Sequence, residues 1–237
     1  MAEVKLSNVG KAFINRERTA RIAAVSDFSL EVADHEFVTV TGPTECGKTT
    51  LLRLIMGLDE PDTGEIRIGG TLVKSSGKDR IKRGMVFQSG SLYPHMNVYR
   101  NLAFPLRKLH LSKEEKDLRV QEAAKEFHVE DLLELKPKAL TPSQKQRVAI
   151  ARAVISCPDL SVMDEPLSRL DDQEKSRLRA VLIRLRNERK LTVICAASDI
   201  AEAMALGDRV VTMKDGKIES VRTPQELAAE FAGQKGA

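Results

Sequence analysis

Residues Gly42-Pro43-Thr44-Glu45-Cys46-Gly47-Lys48-Thr49 follow the spacing G-x-x-x-x-G-K-[ST], and no other feature of the 237-residue chain constrains its fold as tightly. The pattern has meaning only where a strand runs into a glycine-rich turn that opens a helix. Here the apolar stretch with Phe37, Val38 and Val40 precedes it, and a helical run with Leu51, Leu52, Leu54 and Ile55 follows. Backbone N–H groups of such a turn point inward at phosphate oxygens, and the helix N-terminus adds positive potential. Lys48 then reaches the β- and γ-phosphates as a point charge, and the Thr49 hydroxyl suits Mg²⁺. These residues imply a bound nucleoside triphosphate.

The length fits one large domain, or a core carrying an inserted subdomain. Charged residues make up 30% of the chain and its net charge is +4, which is too weak and too dispersed to argue for nucleic acid. The three cysteines, Cys46, Cys157 and Cys195, have neither paired nor metal-binding spacing, so a reducing compartment is expected, with Cys157 and Cys195 as buried free thiols. The N-terminus shows no signal segment and no run of 18 apolar residues occurs, so the chain is expected to dock on a membrane at most.

Strands are expected at 4–6, 28–32 and 37–40, with an exposed charged loop at 14–21. A turn at 60–64 leads into a strand at 65–68, and Met85-Val86-Phe87 reads as a buried strand. From Val98 to Glu134 the pattern turns helical and charged, with Leu102, Leu106, Leu109, Leu118, Ala123, Ala124 and Phe127 as its apolar positions. Another helix is expected at 143–156, a charged one at 173–190, and buried strands at 160–163 and 191–196. Asp215-Gly216 reads as the turn of a hairpin between 210–213 and 217–221, and the tail 233–237 as frayed. Strands alternating with helices imply an α/β fold with a largely parallel sheet.

The strand Leu160-Ser161-Val162-Met163 ends in Asp164-Glu165. In that position one acid can hold the Mg²⁺ shell and the next can take a proton from an attacking water. An Asp-Glu pair that merely caps a turn is the simpler alternative. The preceding phosphate loop and the following Pro166-Leu167-Ser168-Arg169-Leu170-Asp171 favour the chemical role.

The order of motifs resembles the ATP-binding subunit of ABC (ATP-binding cassette) transporters along nearly the whole chain. Thr41–Thr50 resembles that family's Walker A, Val86-Phe87-Gln88-Ser89 its Q-loop and Val162–Pro166 its Walker B. Leu140–Arg147 occupies the place of the signature motif, and Ser168–Asp171 that of the D-loop. Asp199–Met204 and Gly207–Val210 resemble the segment after the switch histidine. Gly77-Lys78-Asp79-Arg80 is similar to bacterial importers for nitrate, sulfonates or taurine, and Leu92–Tyr99 to sugar importers. The absence of the sugar type's long C-terminal domain favours the shorter kind.

The resemblance implies a P-loop NTPase (RecA-like) fold with an N-terminal antiparallel β-subdomain. Residues 1–90 and 158–225 would form the core, and 91–157 an inserted helical subdomain. It implies ATP and Mg²⁺ as cofactors, held by Gly42, Pro43, Thr44, Glu45, Cys46, Gly47, Lys48, Thr49 and Thr50. Phe13 would stack on adenine, with a core position in the first hairpin as its alternative. Thr141, Ser143 and Gln144 would cap the nucleotide of a second subunit. Thr49, Gln88 and Asp164 would hold the metal, while Glu165, Gln88 and Ser198 would stand at the catalytic positions. Partners would be a second ATPase subunit, identical or different, and integral membrane permease subunits contacted around residues 88–105. The chain would sit on the cytoplasmic face of the membrane. His95 would shape the permease contact, whereas His35, His110 and His128 read as surface residues, and the charged stretch 113–130 as a solvated helix face.

Four positions depart from the family pattern. The signature, usually Leu-Ser-Gly-Gly-Gln, reads Leu140-Thr141-Pro142-Ser143-Gln144. Pro142 removes one N–H and Ser143 approaches a phosphate less closely than glycine, and each lost charge-assisted bond costs roughly 1.5–3 kcal/mol. Ser198 replaces the switch histidine, Glu45 stands where Walker A usually has glycine, and Gly90 where the Q-loop is usually followed by a bulky residue. Two readings of these departures stay open, an ordinary subunit that has drifted and a nucleotide-binding subunit with impaired hydrolysis paired with an intact partner; the rival of a different class is a non-catalytic module that binds nucleotide as a switch or folds without it. A soluble ABC-type ATPase acting on nucleic acid or ribosomes is a second rival, disfavoured because that kind usually carries two cassettes in one chain.

Overall fold

A computed structural model describes residues 3–14, 20–74, 79, 81–189 and 191–234. In chain order it contains β1 (Val4–Ile14), β2 (Arg21–Val32), β3 (Phe37–Thr41), α1 (Lys48–Ile55), β4 (Thr63–Ile68), β5 (Thr71–Leu72) and β6 (Arg83–Val86). Next come α2 (Val98–Ala103), α3 (Lys113–Glu126), α4 (Pro142–Val154), β7 (Leu160–Asp164) and α5 (Asp172–Arg189). The chain closes with β8 (Val193–Ala196), α6 (Ile200–Leu206), β9 (Arg209–Lys214), β10 (Lys217–Arg222) and α7 (Pro224–Gln234). The described residues fall into two compact units, one drawn from Met1–Ile81 and Thr192–Ala237, the other from Lys82–Leu191.

In the first unit, β3 is buried along its whole length and lies between β8 and β9, parallel to both. Such two-sided burial is why Phe37-Val38-Thr39-Val40 reads as an unbroken rather than an alternating strand. The β9–β10 hairpin turns at Asp215 (φ 48°) and Gly216 (φ 76°), the paired left-handed conformation that an Asp-Gly turn favours. An antiparallel sheet in the order β2-β1-β4-β5 completes the unit. Strands β1 and β2 run to 11 and 12 residues, far beyond the expected 4–6 and 28–32. Register shifts between Leu6 and Val9 and between Val9 and Lys11 break the alternation that would have revealed them, and Asn8 and Asp27 take positive φ there, joined by a 2.7 Å side-chain hydrogen bond. Of the loop expected at 14–21, residues 15–19 lie outside the described residues.

Asp62 ties the distal ends of these strands together. Its carboxylate accepts the Ala12 N–H at 3.0 Å, Lys11 Nζ at 3.0 Å and Arg21 Nη2 at 2.7 Å. These donors, the Ala12 amide foremost, hold its carboxyl well below the usual carboxylate range. A depressed folded-state value stabilises the fold above the unfolded pKa of about 3.9 and is lost as pH falls through the folded value. We expect the stability difference between wild type and Asp62→Asn, read from urea midpoints, to be largest above pH 5 and to shrink steadily below pH 4.

The second unit pairs β6 parallel to β7, Arg83 opposite Leu160 and Val86 opposite Met163, and packs α4 against β6. Of the expected strand Met85-Val86-Phe87 only Val86 is fully buried, and Phe87 lies past its end. The expected continuous helical stretch is broken into α2, a 3-10 turn at Phe104–Lys108 and α3, with Pro105 at the break. Leu118 points outward at 60% exposure, whereas Leu102, Leu106, Ala123, Ala124 and Phe127 are buried. Cys195 is buried as expected but Cys157 is exposed: it sits just past α4 with a left-handed backbone (φ 46°). His35, His95, His110 and His128 are all exposed. Among the described residues, no helix is long and apolar enough to cross a membrane.

Candidate nucleotide site

In the first unit, β3 delivers the chain into the turn 42–47 and α1 leads away from it. Gly42 has φ 153° and Gly47 φ 104°, and a Cβ on either would stand 2.0 Å from a backbone carbonyl, Met213 O and Ala24 O respectively. The turn is therefore closed to side chains at both ends, which is the reason for glycine at these two positions. Cys46 N–H donates to Pro43 O at 3.3 Å, and the Gly216 N–H to Cys46 O at 3.1 Å, tying the turn to the β9–β10 hairpin.

Lys48 is buried, and its Nζ donates to Gly42 O at 2.8 Å and Pro43 O at 3.1 Å. The ammonium is thus held against the first two carbonyls of the loop. At the start of α1, Gly47 offers no side-chain cap and the first turn carries no acid, so no carboxylate of that turn offsets the positive end of the helix. Glu45 takes the left-handed conformation (φ 64°) that glycine would take there, and its side chain is exposed. Its backbone meets the demands of the turn at a strain of roughly 1–2 kcal/mol. Pro43, Thr44 and Thr49 are exposed and Thr50 half-buried. A turn closed to side chains at both glycines, a buried ammonium and a helix whose first turn carries no acid fit the phosphates of a nucleotide.

Also in this unit, Phe13 on β1 is 45% exposed, opposite Ile22 of β2, with Lys11 Nζ 5.7 Å from its ring centre. It is an accessible face rather than a core residue. Ser198 precedes α6, and its hydroxyl lies 3.4 Å from both Asp199 Oδ2 and Glu202 Oε2. Asp199 caps α6 by accepting the Glu202 N–H at 2.7 Å. Serine at this position joins a helix cap and places no cation there.

The second unit gathers the acids and Gln88. Asp164 is buried at the end of β7. Glu165 follows with φ 44°, half-buried, and its Oε2 accepts Gln88 Nε2 at 3.0 Å. The turn after it is capped by the Glu165 carbonyl, which accepts from Ser168 Oγ at 2.9 Å and Ser168 N at 3.2 Å. Asp171 has a structural task, accepting the Glu174 N–H at 2.9 Å at the start of α5. Among the described residues no group of three or more His, Cys, Asp or Glu could hold a metal ion.

At the signature place, Thr141 begins α4 with a reciprocal cap. Its Oγ1 accepts the Gln144 N–H at 3.2 Å, and Gln144 Oε1 accepts the Thr141 N–H at 2.9 Å. Pro142 fills the first helical position, where its fixed φ suits the helix and its missing N–H removes an outward donor. Ser143 Oγ donates to Glu174 Oε2 at 3.0 Å. These groups, read from the sequence as phosphate contacts, are engaged in holding the helix. The T-x-x-Q cap was legible in the sequence, and it is the same signal that marks α3 through Ser112 and Glu115.

The turn, helix and paired acids define a P-loop nucleotide-binding protein of α/β class. The family described as ABC transporter matches residues 25–168, and the chain belongs to that family. The trehalose/maltose import ATP-binding protein MalK of Thermococcus litoralis is 44% identical over 234 residues, covering 96% of this chain and 61% of that protein. The oligosaccharides import ATP-binding protein MsmX of Bacillus subtilis is 42% identical over 227 residues, with the same coverage of 96% and 61%. The chain therefore spans about three fifths of the length of these curated relatives. Among solved structures, the ATP-binding cassette MJ0796, in a dimeric post-hydrolysis state bound to ADP and Pi, superposes with a TM-score of 0.84 at 32% identity, covering 93% of this chain and 98% of that one. These similarities support the sugar-importer resemblance seen at Leu92–Tyr99 over the nitrate type.

Proposed function

We propose that this chain is the ATP-binding subunit of an importer, which binds and hydrolyses Mg-ATP in a head-to-tail dimer and drives a sugar or similar polar solute through membrane permeases. The dimer is either homomeric or formed with a related subunit, and it works at the cytoplasmic face. In this reading residues 91–157 act as the helical subdomain of a core formed by 1–90 and 158–225. The observation that carries it is the glycine-bounded turn that opens α1, with the buried Lys48 ammonium held against the Gly42 and Pro43 carbonyls.

Lys48 and the loop N–H groups bind the phosphates, and Phe13 offers its exposed ring to the base. Mg²⁺, when bound, neutralises charge on the phosphates, and we assign Thr49, Gln88 and Asp164 to it. Glu165 orients the attacking water and accepts its proton, while Gln88 keeps that carboxylate aligned. Thr141, Ser143 and Gln144 would face the nucleotide of the second subunit. Binding is tested by thermal unfolding: Mg-ATP at 100 times its dissociation constant should stabilise the chain by about 2.7 kcal/mol. No shift would leave the loop a structural feature only.

A second reading, nucleotide binding with slow hydrolysis, is favoured by one group of contacts. In the first turn of α4, Thr141 N and Gln144 N are bonded internally and residue 142 has no N–H. Ser198 likewise joins the α6 cap. We expect the combined substitutions Pro142→Gly, Ser143→Gly and Ser198→His to raise phosphate release at least about tenfold, since each charge-assisted bond restored to a transition state contributes roughly 1.5–3 kcal/mol. An unchanged rate would show that these positions do not limit turnover.

A further inference from the structure

We propose that Gln146 of α4 is a positioning residue for Gln88, acting through the turn that closes at Gly90. The inference rests on the reading above, in which Gln88 aligns Glu165.

Gln88 and Ser89 are the central residues of a tight turn closed by Gly90 N–H donating to Phe87 O at 2.9 Å. Gly90 has φ 59°, and a Cβ there would lie 2.6 Å from Gln146 Oε1, 3.2 Å from Gln146 N and 3.3 Å from Gln146 Cα. The turn therefore rests directly on Gln146, in space that a bulky residue at position 90 would need. This explains the glycine that departs from the family pattern. Gln146 is only 3% exposed, yet its Nε2 makes no hydrogen bond among the described residues. A buried amide nitrogen left without a partner is unfavourable for folding, so stability alone gives no reason for glutamine here. Its slim carbonyl oxygen fits against Gly90, where a methyl group of the same reach would push the turn outward. From the turn the path is short: Gln88 Nε2 meets Glu165 Oε2 at 3.0 Å, and the Glu165 backbone is pinned by Ser168. Because Gln146 lies five residues after the Thr141 cap on the same helix, it also links the signature place to the Gln88 turn.

The test compares wild type, Gln146→Met, Gln88→Ala and the double variant. We expect Gln146→Met to lower kcat about tenfold with KM and ATP affinity within about twofold, and to leave Tm unchanged or higher. In the Gln88→Ala background the same substitution should change kcat less than about twofold, because both act through one group. Amide exchange at Gly90, followed by hydrogen exchange, should quicken at least about fivefold in Gln146→Met, a readout independent of turnover. Unchanged exchange at Gly90 overturns the proposal, as does a tenfold kcat loss that persists without Gln88. If Gln88→Ala slows turnover and Gln146→Met does not, this inference alone fails. If Gln88→Ala has no effect, the role of Gln88 falls and this inference with it.

Discussion

Glu165→Gln should lower the rate of phosphate release about 1,000-fold while leaving Mg-ATP binding intact, since a positioned general base contributes some 10²–10⁴-fold. The amide keeps the size of the carboxylate and its place beside Gln88, now 3.0 Å away, but cannot take a proton from water. Glu165 has a left-handed backbone (φ 44°) directly after a fully buried strand, a conformation held by the two Ser168 bonds to its carbonyl. Strain of this kind persists only where the surroundings impose it, and here it turns the side chain out of the strand end toward Gln88. With hydrolysis removed and binding retained, ATP should accumulate on the protein, and a dimer should appear in size-exclusion chromatography only when ATP is present. A variant that releases phosphate at the wild-type rate would take the general-base role away from Glu165.

Lys48→Ala should weaken ATP binding at least about 100-fold and reduce phosphate release at least as much. Two charge-assisted contacts to phosphate contribute roughly 1.5–3 kcal/mol each, and 1.4 kcal/mol is a factor of ten. The substitution also removes the donor to Gly42 O and Pro43 O, so the loop loses two internal bonds at once. The two effects separate by measurement. Loop loosening shows as a small drop in Tm without nucleotide, whereas the lost phosphate contacts show as a missing Tm increase when Mg-ATP is added. Lys48→Arg would not restore the site, because a planar guanidinium does not fit where a compact ammonium reaches two neighbouring carbonyls.

Where a residue pattern had one physical solution, the fold was legible beforehand. The glycines at 42 and 47 could only mark a turn with no room for side chains, and Asp215-Gly216 could only be a hairpin turn. The long strands β1 and β2 were read short because their register shifts interrupt the alternation of inward and outward residues. Helix α7 was missed although Thr223-Pro224-Gln225-Glu226 carries the start signal. Thr223 N–H donates to Glu226 Oε2 at 2.7 Å, and the Glu226 N–H to Thr223 Oγ1 at 3.3 Å.

The site divides in the same way. Residue types and spacing pointed to Lys48, Asp164, Glu165 and Gln88, but not to how Thr141 and Gln144 spend their polar groups on each other. That depends on α4 being capped at Thr141, which the T-x-x-Q spacing marks, whereas the helix expected from the apolar pattern begins at 143. Gln146 could not have been singled out at all, since its place against Gly90 is a matter of packing between elements 56 residues apart in sequence.

The most direct test of the account is Mg²⁺-dependent phosphate release by the purified wild-type chain at saturating ATP, with Lys48→Ala in parallel. Release that needs Mg²⁺, stops on chelation and disappears in the variant is the expected result. Release that persists unchanged in Lys48→Ala, or a chain that neither binds nor cleaves ATP, would contradict it.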